Sequence, residues 1–483
     1  MIRPVLLALG IFLSASTALA LDAIPGEDRF RSMMGEDSST AGSDLGFVKI
    51  GDTWYMNLSP RFDLRMGKFG LGLQVPLNVP LPGQDDVGDG FLREEDWDET
   101  SDYFRMVRYV QYGDKRDTVF VRFGELTGSI GHGTIVGAYT NNIDIDSFRP
   151  GLQFDLNTDF GGFETLVSDV VTYTKESQES KLMAVRAYVK PLALFMPDSP
   201  LNIFSVGVSY AADGNAPTAV SSEAESTTFT VDSDAALKVY GMDFDAVVLN
   251  NDLITLVPYV DFNKIDGAGT GLHLGVQTVF KFPVGLNLQI PVTFEYRNFS
   301  SNYVAQYFNT IYELERFSML SVAPGTPKAA YITGDALKDG PGLNGFYGDF
   351  AFDFLGIAQV GGIYEHYKAV AGSDSTGDAS ADGAEDTSTS EAEGLGTLSI
   401  YLSVPALEVV DFKAYYNRTG ITGADDMFKF DERSMAVAQA RYKLYPMVYV
   451  VGQAQRLWEY DAAQGQYAGV DSYGMGVEFV FDF

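Results

Sequence analysis

Leu286-Asn-Leu-Gln-Ile-Pro-Val-Thr-Phe-Glu-Tyr-Arg297 decides the fold. Its even positions are Leu286, Leu288, Ile290, Val292, Phe294 and Tyr296; its odd positions are Asn287, Gln289, Pro291, Thr293, Glu295 and Arg297. Successive side chains of a strand point to opposite faces, so this segment has one apolar face and one wet face. A helix, with its period of 3.6, would scatter both sets around its circumference. The pattern recurs. Leu272, Leu274, Val276, Thr278, Phe280 and Phe282 alternate with a set containing His273, Gln277 and Lys281. Phe69, Leu71, Leu73, Val75, Leu77 and Val79 alternate with Gly70, Gly72, Gln74, Pro76 and Asn78, and Ala436 to Leu444 alternate with Val437, Gln439, Arg441 and Lys443.

Half-buried strands of a soluble β-sandwich or solenoid also alternate. Three features favour lipid on the apolar side: the apolar sets carry almost no charge, aromatic residues gather at strand ends, and connections alternate between short and long. Lys281 to Gly285, Pro405 to Glu408 and Tyr445-Pro446 read as short turns. Asp213 to Asp234, Ala371 to Gly394 and Thr419 to Arg433 read as long acidic loops. In lipid no strand edge can stay unpaired, so such a sheet must close. The expected fold is all-β: a transmembrane antiparallel β-barrel with long extracellular loops and short periplasmic turns. After the first twenty residues no apolar run reaches the eighteen or so residues a spanning helix needs. The chain has 50 Gly, 34 Phe, 27 Tyr, no Cys and a net charge of -32. That acidity argues against nucleic acid as a partner, because phosphate binding needs basic surface. The missing cysteines exclude disulfides and thiolate metal sites.

Counting back from the carboxy terminus, alternation persists to about Leu182, giving roughly thirteen strands. If Pro80 to Asp102 is an outside loop, parity then forbids one apparent strand between Phe104 and Ser180 from spanning. Gly131-His132-Gly133-Thr134-Ile135-Val136 is the candidate to fold into the lumen as a constriction, against an ordinary strand with a long turn elsewhere. Either choice gives an even total of about 18 or 20 strands. Between Arg297 and Phe346, the stretch holding Tyr303, Tyr307, Phe308, Tyr312, Glu313, Glu315, Arg316 and Phe317 loses period two and suits a second inserted segment.

Arg3, the apolar run Val5 to Leu13 and the small residues ending Ala18-Leu19-Ala20 have the order of a secretory signal, so residues 1–20 are expected to be removed, leaving Leu21 first. Residues 21–51 are then expected as a periplasmic segment and 52–483 as the barrel. At the other end, Tyr473, Met475, Val477, Phe479, Phe481 and Phe483 share one face. Here the chain resembles the bacterial outer-membrane β-barrels of Gram-negative cells, whose last strand ends in an aromatic residue preceded by alternating apolar positions. The resemblance implies outer-membrane location, with Tyr473, Phe479, Phe481 and Phe483 read by the barrel-assembly machinery. It further implies outer-membrane lipid and lipopolysaccharide as neighbours, and leaves a homotrimer open. Residues 21–51 are short for a plug or for repeated periplasmic domains, so general porins fit better, with no particular porin family matched.

Chemistry is sparse. The three histidines are His132, His273 and His366, and none stands near a Gly-x-Ser-x-Gly turn, so no catalysis, cofactor or metal is expected. Asp374, Asp378, Asp382, Glu385, Asp386, Glu391 and Glu393 lack the glycine and terminal glutamate of a calcium loop and read as solvated loop. The lumen is the candidate site. Arg122, Arg186, Lys190, Lys281, Arg297, Lys413, Arg441 and Lys443 are expected inward, with His273, Asp63, Asp243, Asp245, Glu295 and Glu478. His132, Tyr307, Tyr312, Glu313, Glu315 and Arg316 are the candidate constriction. A barrel of this strand number is too wide for side chains alone to fill. The expected function is therefore porin-like passive diffusion of small hydrophilic solutes, with a mild cation preference from acidic loops within a Debye length of the mouth, about 8 Å. The alternative is a plugged barrel acting as a surface interaction or structural protein.

Overall fold

The computed structural model describes residues 40–482 apart from 51–52, 84–89, 98–101, 116, 143–147, 172, 174–178, 197–198, 200–201, 223–228, 283–287, 318, 320–325, 335–336, 338–339, 355–356, 371–394, 408, 432 and 462–465. The expected signal peptide, Phe483 and the acidic stretch 371–394 lie outside the described residues.

Within them, 22 strand segments form one sheet, each paired antiparallel to its neighbours. Thr40–Ile50 pairs with Thr53–Met66 on one side and with Gln466–Asp482 on the other, which closes the sheet. Two crossings are each broken into two segments. Phe69–Gln74 and Leu77–Pro80 lie end to end along Thr53–Met66, interrupted at Val75-Pro76, where proline cannot donate to a ladder. Phe229–Ala246 and Leu249–Asn250 share Ile254–Ile265 in the same way. The result is a twenty-stranded barrel.

Leu288–Phe299 keeps the alternation of the opening segment, paired to Thr270–Phe282 and Leu343–Phe354. The apolar set faces out: Phe244, Phe262, Phe294, Phe346 and Phe350 are each 44–54% exposed. A second sheet covering that face, as in a sandwich, would have buried them, and a patch this large on a water-facing surface is a liability.

The even strand number puts both ends of the barrel chain on one rim. Connections at that rim are mostly short (67–68, 113–118, 158–160, 355–357, 446–447), whereas 81–106, 125–150, 300–342 and 422–433 extend the opposite one. Two boundaries differ from those expected. Residues 40–50, expected ahead of the barrel, form its first strand; their outward face, with Ser43 beside Leu45 and Phe47, is too small and polar for the alternation to stand out. Asp213 to Asp234, expected as a loop, is mostly sheet. Phe204–Ser222 and Phe229–Ala246 run well past the ten or so residues a crossing needs, shifting register between Asp213 and Ala216. This part of the hairpin stands beyond the lipid, so its strands need no apolar face.

Leu274 is outward, mid-strand and 43% exposed. Leu274→Arg is expected to destabilise refolding into vesicles by about 2–4 kcal/mol, while the inward Gln277→Arg changes it little. Equal effects, measured by urea titration, would contradict the facing.

Candidate functional site, a lumen narrowed from one side

Two connections from the long-loop rim fold inward and meet. The first spans 125–150. Its ends are zipped by a short ladder of Thr127–Gly128 with Tyr139–Thr140, the two threonine hydroxyls 2.9 Å apart. Asn141, fully buried, knots its base by donating to the carbonyls of Gly124, Arg149 and Ser168 and accepting from the Leu126 N–H. Gly131 takes φ +58°, a left-handed conformation natural to glycine, and its N–H donates to Glu164 at 2.9 Å. Residues 131–136 thus belong to a connection inside the barrel and do not span.

The second connection spans 300–342, with short helices Tyr312–Glu315 and Lys328–Thr333. It docks on the first through main-chain hydrogen bonds from Gln306 to Thr134 (2.8 Å), Phe308 to Ile135 (3.2 Å) and Gly137 to Phe308 (3.0 Å). Val136, Tyr139, Phe299, Tyr303, Tyr307, Phe308 and Tyr312 form a continuous buried cluster with the inward residues of the wall from Gly161–Val167 round to Ala358–Ala369. A water-filled barrel has no need of an apolar core; this one exists because the inserted chain brings its own. The wall yields to it at glycines. A Cβ on Gly241 would lie 2.6 Å from Ile135 Cδ1, and one on Gly271 would collide with the Tyr303 ring.

Where the loops press on the wall, charges are paired beneath them. Arg186 donates to Asp243 (2.9 and 2.6 Å) and Glu164 (2.8 Å). Glu295 accepts from Arg297 at 2.5 Å and from Tyr259, and lies 3.1 Å from His273 Nδ1. Arg297 also donates to Glu365 (2.8 Å) and Tyr367 (2.6 Å), its guanidinium 3.9 Å from the centre of the Tyr347 ring. Glu313 accepts from Tyr139 and from Ser180 (2.6 Å); Asp213 accepts from Tyr312 (2.7 Å) and Arg316 (3.3 Å); Lys328 pairs with Glu315 at 2.5 Å. Removing one member would strand its partner in a dry interior, which typically costs about 3–5 kcal/mol. These pairs pin the loops.

The expected site residues therefore separate. Arg186, His273, Glu295 and Arg297 face inward but are buried under the loops, and Tyr307, Tyr312, Glu313 and Arg316 are buried anchors turned toward the wall rather than toward water. Glu315 is partly exposed beside Lys328. Lys190 lies off the strands, just before the short helix Pro191–Phe195. Arg122 is half-buried over the Tyr109 ring and donates to Gln111 at 2.9 Å. Arg441 and Lys443 lie on the opposite wall, which the described residues of the loops do not cover. There Arg441 bridges Asp411 (3.1 Å) and Glu478 (2.7 Å), all three side chains remaining 20–23% exposed inside the closed sheet. Arg108 with Asp63, at 2.5 Å, extends that charged lining. Of the carboxy-terminal set, Phe479 is outward and 37% exposed; Tyr473 and Phe481 sit in the last strand.

Asp261, Asp213, Asn141, Arg149 and Lys328 did not stand out in the sequence. Asp261 was readable as inward, between Tyr259 and Asn263 on an alternating strand. Nothing in the sequence ties it to His132, 129 positions away.

His132 stacks on Tyr259, ring centres 4.0 Å apart, with Nδ1 donating to Asp261 at 2.8 Å and Nε2 3.7 Å from Asp245. Burial acts to lower its pKa, but Asp245, Asp261 and Asp243 outweigh it and lift the value to about 10. Burial also pushes the hydroxyls of Tyr139, Tyr307 and Tyr312 up, keeping them donors. Since the folded value of His132 exceeds the ordinary one of about 6.5, its charge stabilises the docked loop fully below about pH 6.5. That contribution is lost as pH rises through about 10. Nitrogen-15 NMR of the imidazoles is expected to show one ring titrating well above pH 8, moving lower in Asp261→Asn. Three rings titrating near 6.5 would contradict it.

No protein-family model matches the chain, and no curated protein is similar to it in sequence. Among solved structures it is similar to Pseudomonas aeruginosa OccK11 (OpdR), at 8% identity over 92% of this chain and 96% of that one, with a TM-score of 0.35. It is similar to Pseudomonas aeruginosa OccK5 (OpdH) at 10% identity over 92% and 98%, TM-score 0.34. Acinetobacter baumannii OccAB1 follows at 11% identity over 93% and 97%, TM-score 0.32.

Proposed function

We propose that the chain is an outer-membrane channel through which small hydrophilic solutes diffuse, narrowed by the paired loops 125–150 and 300–342. One observation supports this reading: among the described residues the inserted loops pack against one wall, and Asp411, Arg441 and Glu478 on the other keep 20–23% of their surface exposed within a closed sheet. A plugged barrel, the rival, would have covered them. Opposed charges along the uncovered wall would orient polar solutes without holding them. Export by the signal 1–20 and recognition of the terminal aromatic strand by the assembly machinery belong to the same reading, as does a mild cation preference that fades with salt.

Recording from planar bilayers tests it. The refolded protein is expected to give discrete ohmic steps, and deletion of Ser300 to Val322 to give larger ones. Silence of a correctly folded barrel would favour the plugged rival, and unchanged step size in the deletion would remove the loop's role.

A further inference from the structure

Among the described residues, two that are not glycine take a left-handed backbone: Ala138 and Gln306, each at φ +50°. They sit on different inserted loops and meet at the seam between them. Gln306 donates its N–H to the Thr134 carbonyl at 2.8 Å, and Thr310 Oγ1 donates to the Ala138 carbonyl at 2.9 Å. A side chain at such a φ is unfavourable, and proteins keep that strain where the surrounding structure over-determines it, often at a working surface. Glycine would take the same turn freely. At 306 the chain carries a long polar side chain instead.

That side chain bridges loop and wall. A Cβ on Gly137 would lie 2.9 Å from Gln306 Cδ, so the side chain crosses the first loop over bare backbone. Its Nε2 lies 3.5 Å from the Tyr347 hydroxyl, which donates to Asp349 at 2.8 Å. Gln306 is half-buried, and within the closed sheet its open side meets the lumen. The inserted face around it is nearly free of charge, although the chain carries a net -32. From Thr127 to Thr140 the one charged side chain is His132, 7% exposed, and from Val304 to Ile311 there is none. Ser129, Asn309 and Thr310 keep part of their surface around the same seam, where Ser129 Oγ accepts from the Ala138 N–H at 2.8 Å.

We propose that Gln306 is the specificity-determining residue of the passage, exchanging hydrogen bonds with small uncharged solutes that carry hydroxyl groups. A carboxamide offers both a donor and an acceptor, and a hydroxyl uses both. An ion leaving water along this face finds no counter-charge, whereas a hydroxylated solute trades water for amide and hydroxyl partners. The exposed charges lie across the lumen, at Asp411, Arg441 and Glu478. Strain at 306 then has a use: glycine would relax the turn and remove the group that meets the solute. The assignment rests on the open channel proposed above and names the class of solute it favours.

Channel current in potassium chloride tests it on wild type, Gln306→Gly and Gln306→Asn, with arabinose as the probe and arabinonate, its carboxylate counterpart, as the charged comparison. Arabinose is expected to interrupt the wild-type current. Gln306→Gly, its backbone relaxed, is expected to fold with unchanged heat-modifiable migration and to need about fivefold more arabinose for half-block, the scale of one lost hydrogen bond. Gln306→Asn keeps an amide on a residue that tolerates the left-handed region, and is expected within about twofold of wild type. Any block by arabinonate should be the same in all three proteins. Equal half-block by arabinose in all three would overturn the proposal, as would arabinose and arabinonate shifting together. A conducting wild type that arabinose leaves undisturbed would overturn it while the channel reading stands; a silent wild type would remove both.

Discussion

Backbone amides and carbonyls in hydrocarbon have no water to turn to, and that constraint organises the molecule. It forces closure, so the first strand, Thr40–Ile50, meets the last, Gln466–Asp482, through consecutive pairs from Thr40 with Asp482 to Gly46 with Gly476. Closure fixes the alternation: each strand presents one face to lipid and the other to the interior. It also confines the lumen's charged groups, since Arg186, Arg297 and Arg441 would each be unfavourable on the far side of the same strands. A chain of net charge -32 that must stay soluble at one rim and lipid-compatible at its waist has few other arrangements.

The interior then presents the opposite problem, a space too wide for wall side chains to fill. Two connections occupy part of it, and they do so as a soluble protein would, with an aromatic core, a knotted asparagine and ion pairs at their base. Because the wall recedes at Gly241 and Gly271, the inserted chain can lie flat against it. The consequence is asymmetry. One half of the lumen is packed and dry, with Arg297 and His273 fully buried; the other keeps a partly exposed row of opposed charges around Arg441. Main-chain hydrogen bonds between the loops, together with buried charges that cannot separate cheaply, make the narrowing a fixed feature rather than a lid.

Much of this was legible. From Leu182 onward a period of two marked roughly thirteen crossings, and parity forbade one apparent strand between Phe104 and Ser180 from spanning, for which 131–136 was one of two readings. The first strand was not, because Ser43 between Ala41 and Leu45 dilutes its outward signal and Gly42 and Gly46 give the other face little to contrast with it; its place is set by pairing with residues more than four hundred positions away. The far part of the hairpin, 213–222 with 229–234, was hidden for the converse reason: beyond the membrane its strands need no apolar face. In the site, loss of alternation after Arg297 revealed an inserted segment, but the direction of its side chains was invisible. Tyr307, Tyr312, Glu313 and Arg316 look like pore-lining groups in sequence and turn out to be anchors, since their partners Tyr139, Ser180, Asp213 and, over the Tyr307 ring, Lys328 are joined to them only by the fold.

Hydrogen exchange of the refolded protein in micelles tests closure most directly, because an open sheet would expose the amides of both edge strands. The account predicts that residues 42–46 and 476–480 exchange as slowly as 272–277 in mid-sheet. Fast exchange along those two segments, with the rest of the sheet protected, would contradict it.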